Sequence, residues 1–398
     1  MTRPSPAGTP DILELEARLD TLLWWPRVTA ETFVAAQLAA TRWSEAVWDV
    51  AAAAGPVELA ATELSRGLEV AHRPVFVCGV HRSGTTLVQG LLDGHPAVAM
   101  LPSEGTFLTS FERRLRRLPR EHWLPFLGCE WLRRLANPIH QHPYWLLGRS
   151  ATAHMPYVEF ARILMAWWAV AERRIGSATS LWPIVAVALA FAHSTGSFSA
   201  DSALQWWAEK TPTNERYLSR LRVEFPDGKL IHVVRHPFAI YASHKQAARN
   251  SRAHLQHTRR ILLDLNLSYR VAVAQARSHA SDHYLLVRYE DLVENPRRTS
   301  DRLAAFLHIE PLPILLHPTV AGLPALGNSS FAADPRPGSV HAVARPSWTD
   351  TLTPFDRERL TAVVAEGAAS LGYELTPLAP WRARLLRLAT RIGSSSVQ

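Results

Sequence analysis

The sequence has 398 residues, of which 47% are hydrophobic and 20% are charged, so a chain without a folded core is excluded. This length suits one large α/β domain or two smaller ones. Lysine and arginine outnumber aspartate and glutamate by 43 to 35, and the resulting charge of +8 favours anionic partners: nucleic acid, acidic membranes or phosphorylated cofactors.

Two cysteines, Cys78 and Cys129, are too few for a disulfide scaffold, and they do not have the spacing of metal ligands. We therefore expect no metal site and a reducing, cytoplasmic location. The first ten residues lack the apolar core of an export signal. The longest apolar stretches, Phe160–Ala171 and Leu181–Ala192, are shorter than the ~20 residues of a membrane span. They predict buried helices, or the lining of an apolar substrate site.

Helices dominate the predicted structure of the first half of the chain. Residues 1–72 have helical spacing and are predicted to form an N-terminal helical extension. Val75–Val80 is rich in β-branched and aromatic residues, which predicts a fully buried parallel strand. A loop at 81–86 and a helix containing Leu87–Leu92 follow it. Residues from about 107 to 207 are predicted to be a helical insertion.

Two further strands are predicted at Lys229–Val234 and Tyr284–Val287. Helices are expected after them, over residues 238–279 and 296–307. Strands that alternate with helices indicate a parallel sheet covered on both faces. The predicted fold class is α/β, a P-loop-like three-layer sandwich with a central parallel sheet, and its domain is predicted to span residues 73–398.

The loop after the first strand has the composition of an anion cradle. Gly84 permits close backbone approach, and the start of the following helix presents free N–H groups. Ser83, Thr85 and Thr86 add hydroxyl donors, and Arg82 adds a cationic fork. A nucleotide triphosphatase loop needs Lys where this chain has Thr85, which argues against a P-loop small-molecule kinase.

The segment His81–Leu87, with the sequence HRSGTTL, resembles the 5′-phosphosulfate loop of sulfotransferases that use 3′-phosphoadenosine 5′-phosphosulfate (PAPS). It departs from that pattern at His81, where proline is common. A second segment, Val233–Ser243, resembles the family's 3′-phosphate motif. The resemblance implies that Arg235 and Ser243 bind the 3′-phosphate of PAPS and of its product PAP.

Two more segments are similar to bacterial and tyrosylprotein sulfotransferases. Trp207–Asn214 resembles a motif whose lysine lies near the transferring group, so the resemblance implies that Lys210 stabilises charge on the leaving group. Arg288–Leu292 resembles a motif whose tyrosine lies close to the adenine, which implies that Tyr289 stacks on the base. Together with Arg82, Lys210 is a candidate catalytic residue.

The acceptor needs a general base, for which Glu104 is the first candidate. Tyrosylprotein and heparan-type sulfotransferases place a catalytic glutamate at a similar distance after the loop. Aryl sulfotransferases of the cytosol use a histidine, so His81, His95 and His154 remain alternatives.

The resemblance implies a transferase that moves a sulfuryl group from PAPS to a hydroxyl or amine of a small-molecule, glycan or lipid acceptor and releases PAP. A P-loop kinase and a basic nucleic-acid-binding protein are the alternatives. Arginine is scattered through the chain without a recognised nucleic-acid motif, so we expect no nucleic-acid partner. The acceptor and the oligomeric state stay open, with a homodimer among the options.

Overall fold

The structure of the protein is a computed structural model. It describes residues 12, 14–15, 30–136, 156–199, 201–247, 254–278, 282–325, 338–340 and 348–389. The chain divides into two compact units. The first unit comprises Met1–Pro74, Asp93–Glu209 and Val320–Leu323, and the second unit comprises Val75–Leu92, Lys210–Thr319 and Pro324–Gln398.

Strands alternate with helices along the described chain, and five of these strands belong to one sheet. The strands are β1 Pro74–Cys78, β2 Val98–Glu104, β3 Trp206–Lys210, β4 Lys229–Val234, β5 Tyr284–Arg288, β6 Thr319–Val320 and β7 Leu323–Pro324. The first five of them form the sheet. The predicted α/β class is therefore confirmed.

The helices follow in chain order. They are α1 Ala30–Ala54, α2 Ala61–Ala71, α3 Thr85–Leu92, α4 Glu112–Leu115, α5 Trp123–Ala136, α6 Tyr157–Arg174, α7 Trp182–Ser194, α8 Leu218–Glu224, α9 Pro237–Ala247, α10 His254–Arg277, α11 Tyr289–Glu294, α12 Pro296–Leu307, α13 Trp348–Thr351, α14 Pro354–Ser370 and α15 Pro380–Ala389. A π-helix spans Phe107–Phe111, and 3₁₀ turns span Arg120–His122, Asn214–Tyr217 and Pro313–Leu316.

In the second unit, β4 lies between β1 and β5, and both pairings are parallel. Cys78 is the register partner of His232, and Val234 is the partner of Arg288. Every residue of β1 and β4 is buried. Parallel strands covered on both faces read as continuous apolar runs, which is why both could be predicted from the sequence.

Tryptophan rings packed against glycines shape the first unit. A Cβ at Gly67 of α2 would lie 2.1 Å from the ring of Trp167, and one at Gly128 of α5 would lie 2.0 Å from the ring of Trp48. Helix α7 is buried along almost its whole length because nearly all its side chains are apolar. Within the described residues, no helix combines the length and apolar character needed to cross a membrane.

A buried polar network connects β4, β5 and α10 in the second unit. Nδ1 of His232 lies 2.6 Å from the Tyr284 hydroxyl, and Nε2 lies 2.7 Å from the Ser268 hydroxyl of α10. Burial lowers the pKa of His232 to about 3, so its ring is neutral near neutral pH. The Glu215 carboxylate lies 3.9 Å from Nε2, and burial raises the pKa of Glu215.

Most predicted elements of the sequence have counterparts in the structure, with shifted ends. Residues 238–279 were expected to be helical, and α9 and α10 account for the part of this range that the structure describes, since residues 248–253 lie outside it. Strands β2 and β3 were not predicted. The boundary at residues 72 and 73 and the insertion from about 107 to 207 stay predictions.

We expect Ser268→Ala to lower the free energy of unfolding by about 1–3 kcal/mol, because a buried nitrogen of His232 loses its hydroxyl partner. Urea unfolding measures this change. Ser219→Ala on α8 is the matched control, since Ser219 is exposed and its loss should cost less than about 0.5 kcal/mol. Equal effects of the two variants would contradict a stabilising role for the network.

Candidate functional site

The loop between β1 and α3 has a backbone that few sequences could adopt. Gly79, Arg82 and Gly84 have φ angles of +141°, +72° and +105°. A Cβ at Gly79 would lie 2.2 Å from the carbonyl oxygen of Val233, so only glycine fits there. Arg82 holds a left-handed conformation that costs energy for a residue with a side chain, a feature found at functional sites.

The Ser83 hydroxyl inside this loop is buried and has no hydrogen-bond partner. Its backbone N–H donates to the Val80 carbonyl at 3.0 Å, which fixes the residue in a tight turn. A buried polar atom without a partner is uncommon in folded proteins. An oxygen of a bound anion would give the hydroxyl an acceptor.

Arg82 and Arg235 bring two positive charges to this loop. Burial, and then the charge of Arg235, lower the pKa of Arg82. Arg235 follows β4, and its Nη1 donates to the Arg82 carbonyl at 3.0 Å. An anion bound beside both guanidinium groups would offset their repulsion.

Tyr289 packs against both Arg235 and Gly84. The Arg235 guanidinium lies 4.2 Å from the centre of the Tyr289 ring, a cation–π arrangement. A Cβ at Gly84 would lie 2.4 Å from Cδ2 of the same ring. The structure thus brings together five predicted site residues: Arg82, Ser83, Gly84, Arg235 and Tyr289.

A clamp behind Arg235 holds the turn from β4 into α9. The His236 N–H donates to Oε1 of Glu290 at 2.9 Å, and the Tyr373 hydroxyl donates to Oε2 at 2.8 Å. The Tyr269 hydroxyl donates to the Arg235 carbonyl. Burial and the charge of Glu290 raise the pKa of Tyr373, so its hydroxyl stays a donor.

The remaining predicted site residues with hydroxyl groups lie on helices α3 and α9. Thr85 is buried and Thr86 half-buried in the first turn of α3, and Ser243 is buried in α9, about two turns after Arg235. His244, the residue after Ser243, donates through Nε2 to the His81 carbonyl at 3.2 Å. This bond connects α9 to the loop between β1 and α3.

Lys210 is the buried last residue of β3, and the segment after it is hydrogen-bonded to β1 and its loop. The Thr211 N–H donates to the Val77 carbonyl at 3.1 Å, and the Thr213 N–H donates to the Gly79 carbonyl at 2.9 Å. Thr213 has a φ of +69°. The segment after Lys210 is therefore held next to the end of β1 and the loop that follows it.

Glu104 ends β2 in the first unit and is half-buried. Its carbonyl accepts a hydrogen bond from Nη1 of Arg134, whose Nη2 donates to the Thr106 hydroxyl at 3.0 Å. Burial lowers the pKa of Arg134, and the charges of Glu130 and Glu104 oppose that change. Arg134 thus fixes the backbone on both sides of Gly105.

Glu209 of β3 lies against the same turn of the first unit. One of its carboxylate oxygens would be 2.2 Å from a Cβ at Gly105, so a larger residue there would displace it. Glu209 and Arg134 were missed as site residues by sequence reasoning. Arg134 has no motif around it, whereas Glu209 stands in the quoted Trp207–Asn214 segment, which was a signal.

The alternative histidines differ in their surroundings. His81 is exposed in the loop. His95 is buried, and its Nδ1 accepts from the Ala97 N–H at 3.1 Å, an arrangement that supports the turn before β2. His154 lies outside the described residues. No group of three metal-ligating side chains is found in the described part of the chain.

We expect Gly84→Ala to destabilise the protein through strain and through a clash with Tyr289. The positive φ alone costs about 1–2 kcal/mol. Gly196→Ala is the matched control, because Gly196 has a φ of +74° and open space around it. Gly84→Ala should cost about 1–3 kcal/mol more than this control in urea unfolding, because the ring must shift. Similar costs would show that Tyr289 does not pack on the loop.

The chain is similar to proteins of a known family. A family model described as "Sulfotransferase family" matches residues 74–313, more than half of the chain. The sulfotransferase domain of the Synechococcus PCC 7002 olefin synthase is 19% identical, with 82% of this chain and 96% of that domain covered at a TM-score of 0.40. Sulfotransferase STF9 from Mycobacterium avium is 13% identical, with 94% and 99% covered at 0.41. Among curated proteins, none matches. On the strength of the family model, the chain belongs to the sulfotransferase family.

Proposed function

We propose that the protein transfers a sulfuryl group from PAPS to a hydroxyl or amine of an acceptor and releases PAP. The observation that carries this proposal is the buried Ser83 hydroxyl without a partner, in a strained loop that also contains Arg82 and accepts a hydrogen bond from Arg235. The loop presents hydrogen-bond donors and positive charge, and its own groups leave the Ser83 hydroxyl without a partner. These properties suit the binding of a phosphosulfate group. Membership of the sulfotransferase family supports PAPS as this anion.

The donor groups divide into two sets. Arg82, Ser83, Thr85 and Thr86 would hold the 5′-phosphosulfate, because the loop backbone and the start of α3 present N–H groups beside them. Arg235 and Ser243 would hold the 3′-phosphate, since they lie at the start of α9 and about two turns into it. The Arg235 guanidinium lies over the Tyr289 ring, so Tyr289 orients that arginine, and the same ring would contact the adenine.

PAPS supplies an activated sulfuryl group whose transfer leaves negative charge on the phosphate oxygen. Lys210 and Arg82 would stabilise that charge from fixed positions. Lys210 is buried at the end of β3, so its ammonium group is held with little freedom. Positioning and positive donors are sufficient for this chemistry, as they are for phosphoryl transfer.

Glu104 would take the proton from the acceptor hydroxyl through its carboxylate. Support comes from the way Arg134 and the Thr106 hydroxyl fix the backbone around it. His81, which lies in the loop, is the alternative base. Of the other two candidates, His95 has a structural partner in the turn before β2, and His154 lies outside the described residues.

A cytoplasmic location fits two free thiols, of which Cys78 is buried and Cys129 half-buried. Burial raises the pKa of Cys129 to about 11, so this thiol is inert near neutral pH. Kinase activity is disfavoured by Thr85, which stands where a triphosphate loop needs lysine. The acceptor and the homodimer stay open.

Calorimetry with PAP and AMP tests the donor site, because AMP differs from PAP only in lacking the 3′-phosphate. We expect Arg235→Ala to weaken PAP binding roughly 10–100-fold and to remove most of the preference for PAP over AMP. Arg82→Ala should weaken both ligands alike, since both carry a 5′-phosphate. Arg297→Ala, an exposed arginine on α12, is the control and should bind PAP normally. A folded wild type that ignores PAP would overturn the proposal.

Glu104→Gln tests the base. Release of PAP from PAPS, with water as the acceptor, should slow by about 10²–10⁴-fold, while the affinity for PAP stays unchanged. Glu121→Gln is the matched control, because Glu121 is exposed in the same unit. A rate close to wild type in Glu104→Gln, together with a large loss in His81→Ala, would assign the base to His81 instead.

A further inference from the structure

Helix α15 carries an apolar stripe that faces away from the protein. Trp381, Leu385 and Leu388 have exposed fractions of 64%, 58% and 65%. Their spacing of four and three residues places them on one side of a helix. We call these three side chains the outer stripe.

The other side of α15 rests on the second unit. Ala383 and Leu386 are the half-buried residues of the helix. Arg382 donates to the Glu358 carboxylate of α14 at 2.8 and 3.2 Å, which fixes the rotation of α15. The outer stripe is therefore the face that α14 does not cover.

Arginines lie on both flanks of the outer stripe. The helix contains Arg382, Arg384 and Arg387 and no acidic residue, and it extends for about 15 Å. At about 100° per residue, Arg384 falls on one flank of the stripe and Arg382 on the other. A chain with a net charge of +8 adds to the attraction for negatively charged surfaces.

We infer that α15 docks on the surface of an anionic lipid bilayer. Tryptophan and leucine on one face with arginine beside them is the composition of helices that lie in the membrane interface. The tryptophan would lie among the headgroups, and Arg384 would reach the lipid phosphates while its stem covers apolar surface. This inference does not depend on the sulfotransfer activity.

A second copy of the chain fits the outer stripe less well. A two-fold dimer through this face would place two copies of α15 together, and α15 contains no acidic residue that could offset the arginines of the other copy. A bilayer that contains anionic lipid instead supplies opposite charge over a flat area. Charge complementarity therefore selects the lipid surface as the occupant.

Co-sedimentation with vesicles tests this inference on the full chain. We expect binding to vesicles of equal parts phosphatidylglycerol and phosphatidylcholine, weak binding to phosphatidylcholine alone, and loss of binding at high salt. The triple variant Trp381→Ser, Leu385→Ser, Leu388→Ser should bind at least about tenfold more weakly, because its apolar area is lost. Arg384→Gln with Arg387→Gln should weaken binding to anionic vesicles only.

Two matched controls keep the test specific. Leu38→Ser removes a leucine of the same exposure, 59%, from α1, and Arg297→Gln removes an exposed arginine from α12. Both should bind vesicles like the wild type, and all variants should bind PAP normally. No vesicle binding by the wild type, or equal binding by the triple variant, would overturn the inference. So would a wild-type dimer in ultracentrifugation that the triple variant converts to monomer, since the stripe would then be an interface between copies.

Discussion

Burial, and then the charge of Arg235, lower the pKa of Arg82, and the two guanidinium groups repel each other beside the loop that follows β1. The fold holds both in place. Arg82 is fixed in a left-handed backbone conformation, and Arg235 is held by the Arg82 carbonyl and the Tyr289 ring. The surrounding structure must stabilise this arrangement before any ligand arrives. A site of this kind is preorganised, because binding an anion removes a repulsion and requires no new positive charge to move in.

Two sets of contacts hold the backbone of the loop and of the turn after Arg235. Gly79 lies so close to the Val233 carbonyl that only glycine fits, and Thr213 donates to the Gly79 carbonyl from the other side. Behind Arg235, the carboxylate of Glu290 accepts from the His236 N–H and the Tyr373 hydroxyl. Beneath them, burial keeps His232 neutral, and burial raises the pKa of Glu215, which favours its neutral form. His232 and Glu215 therefore add little charge to the interior of the second unit.

Only features that are encoded in neighbouring residues could be predicted from the sequence. Strands β1, β4 and β5 are recognisable because each contains a run of apolar or β-branched residues, and the loop is recognisable by its glycines and hydroxyls. Strand β3 was missed because its buried residues include Glu209 and Lys210, which do not resemble a strand interior. Strand β2 contains Pro102 and was also not predicted. The contacts of Arg134 and Tyr373 join residues that are 30 and 83 positions apart, so no pattern of neighbouring residues could indicate them.

The loop between β1 and α3 and the candidate base Glu104 are held by separate sets of contacts. Every contact described around Arg82, Ser83 and Arg235 belongs to the second unit, whereas Glu104 belongs to the first unit and is held there by Arg134. Damage to Arg134 would leave a backbone carbonyl without its donor beside Glu104, and it would leave the loop contacts intact. Under the proposed function, the groups that bind PAP and the candidate base therefore belong to different units. A loss of rate without a loss of affinity would point to Glu104 of the first unit or to Lys210 of the second unit, whereas global unfolding would lower both the rate and the affinity.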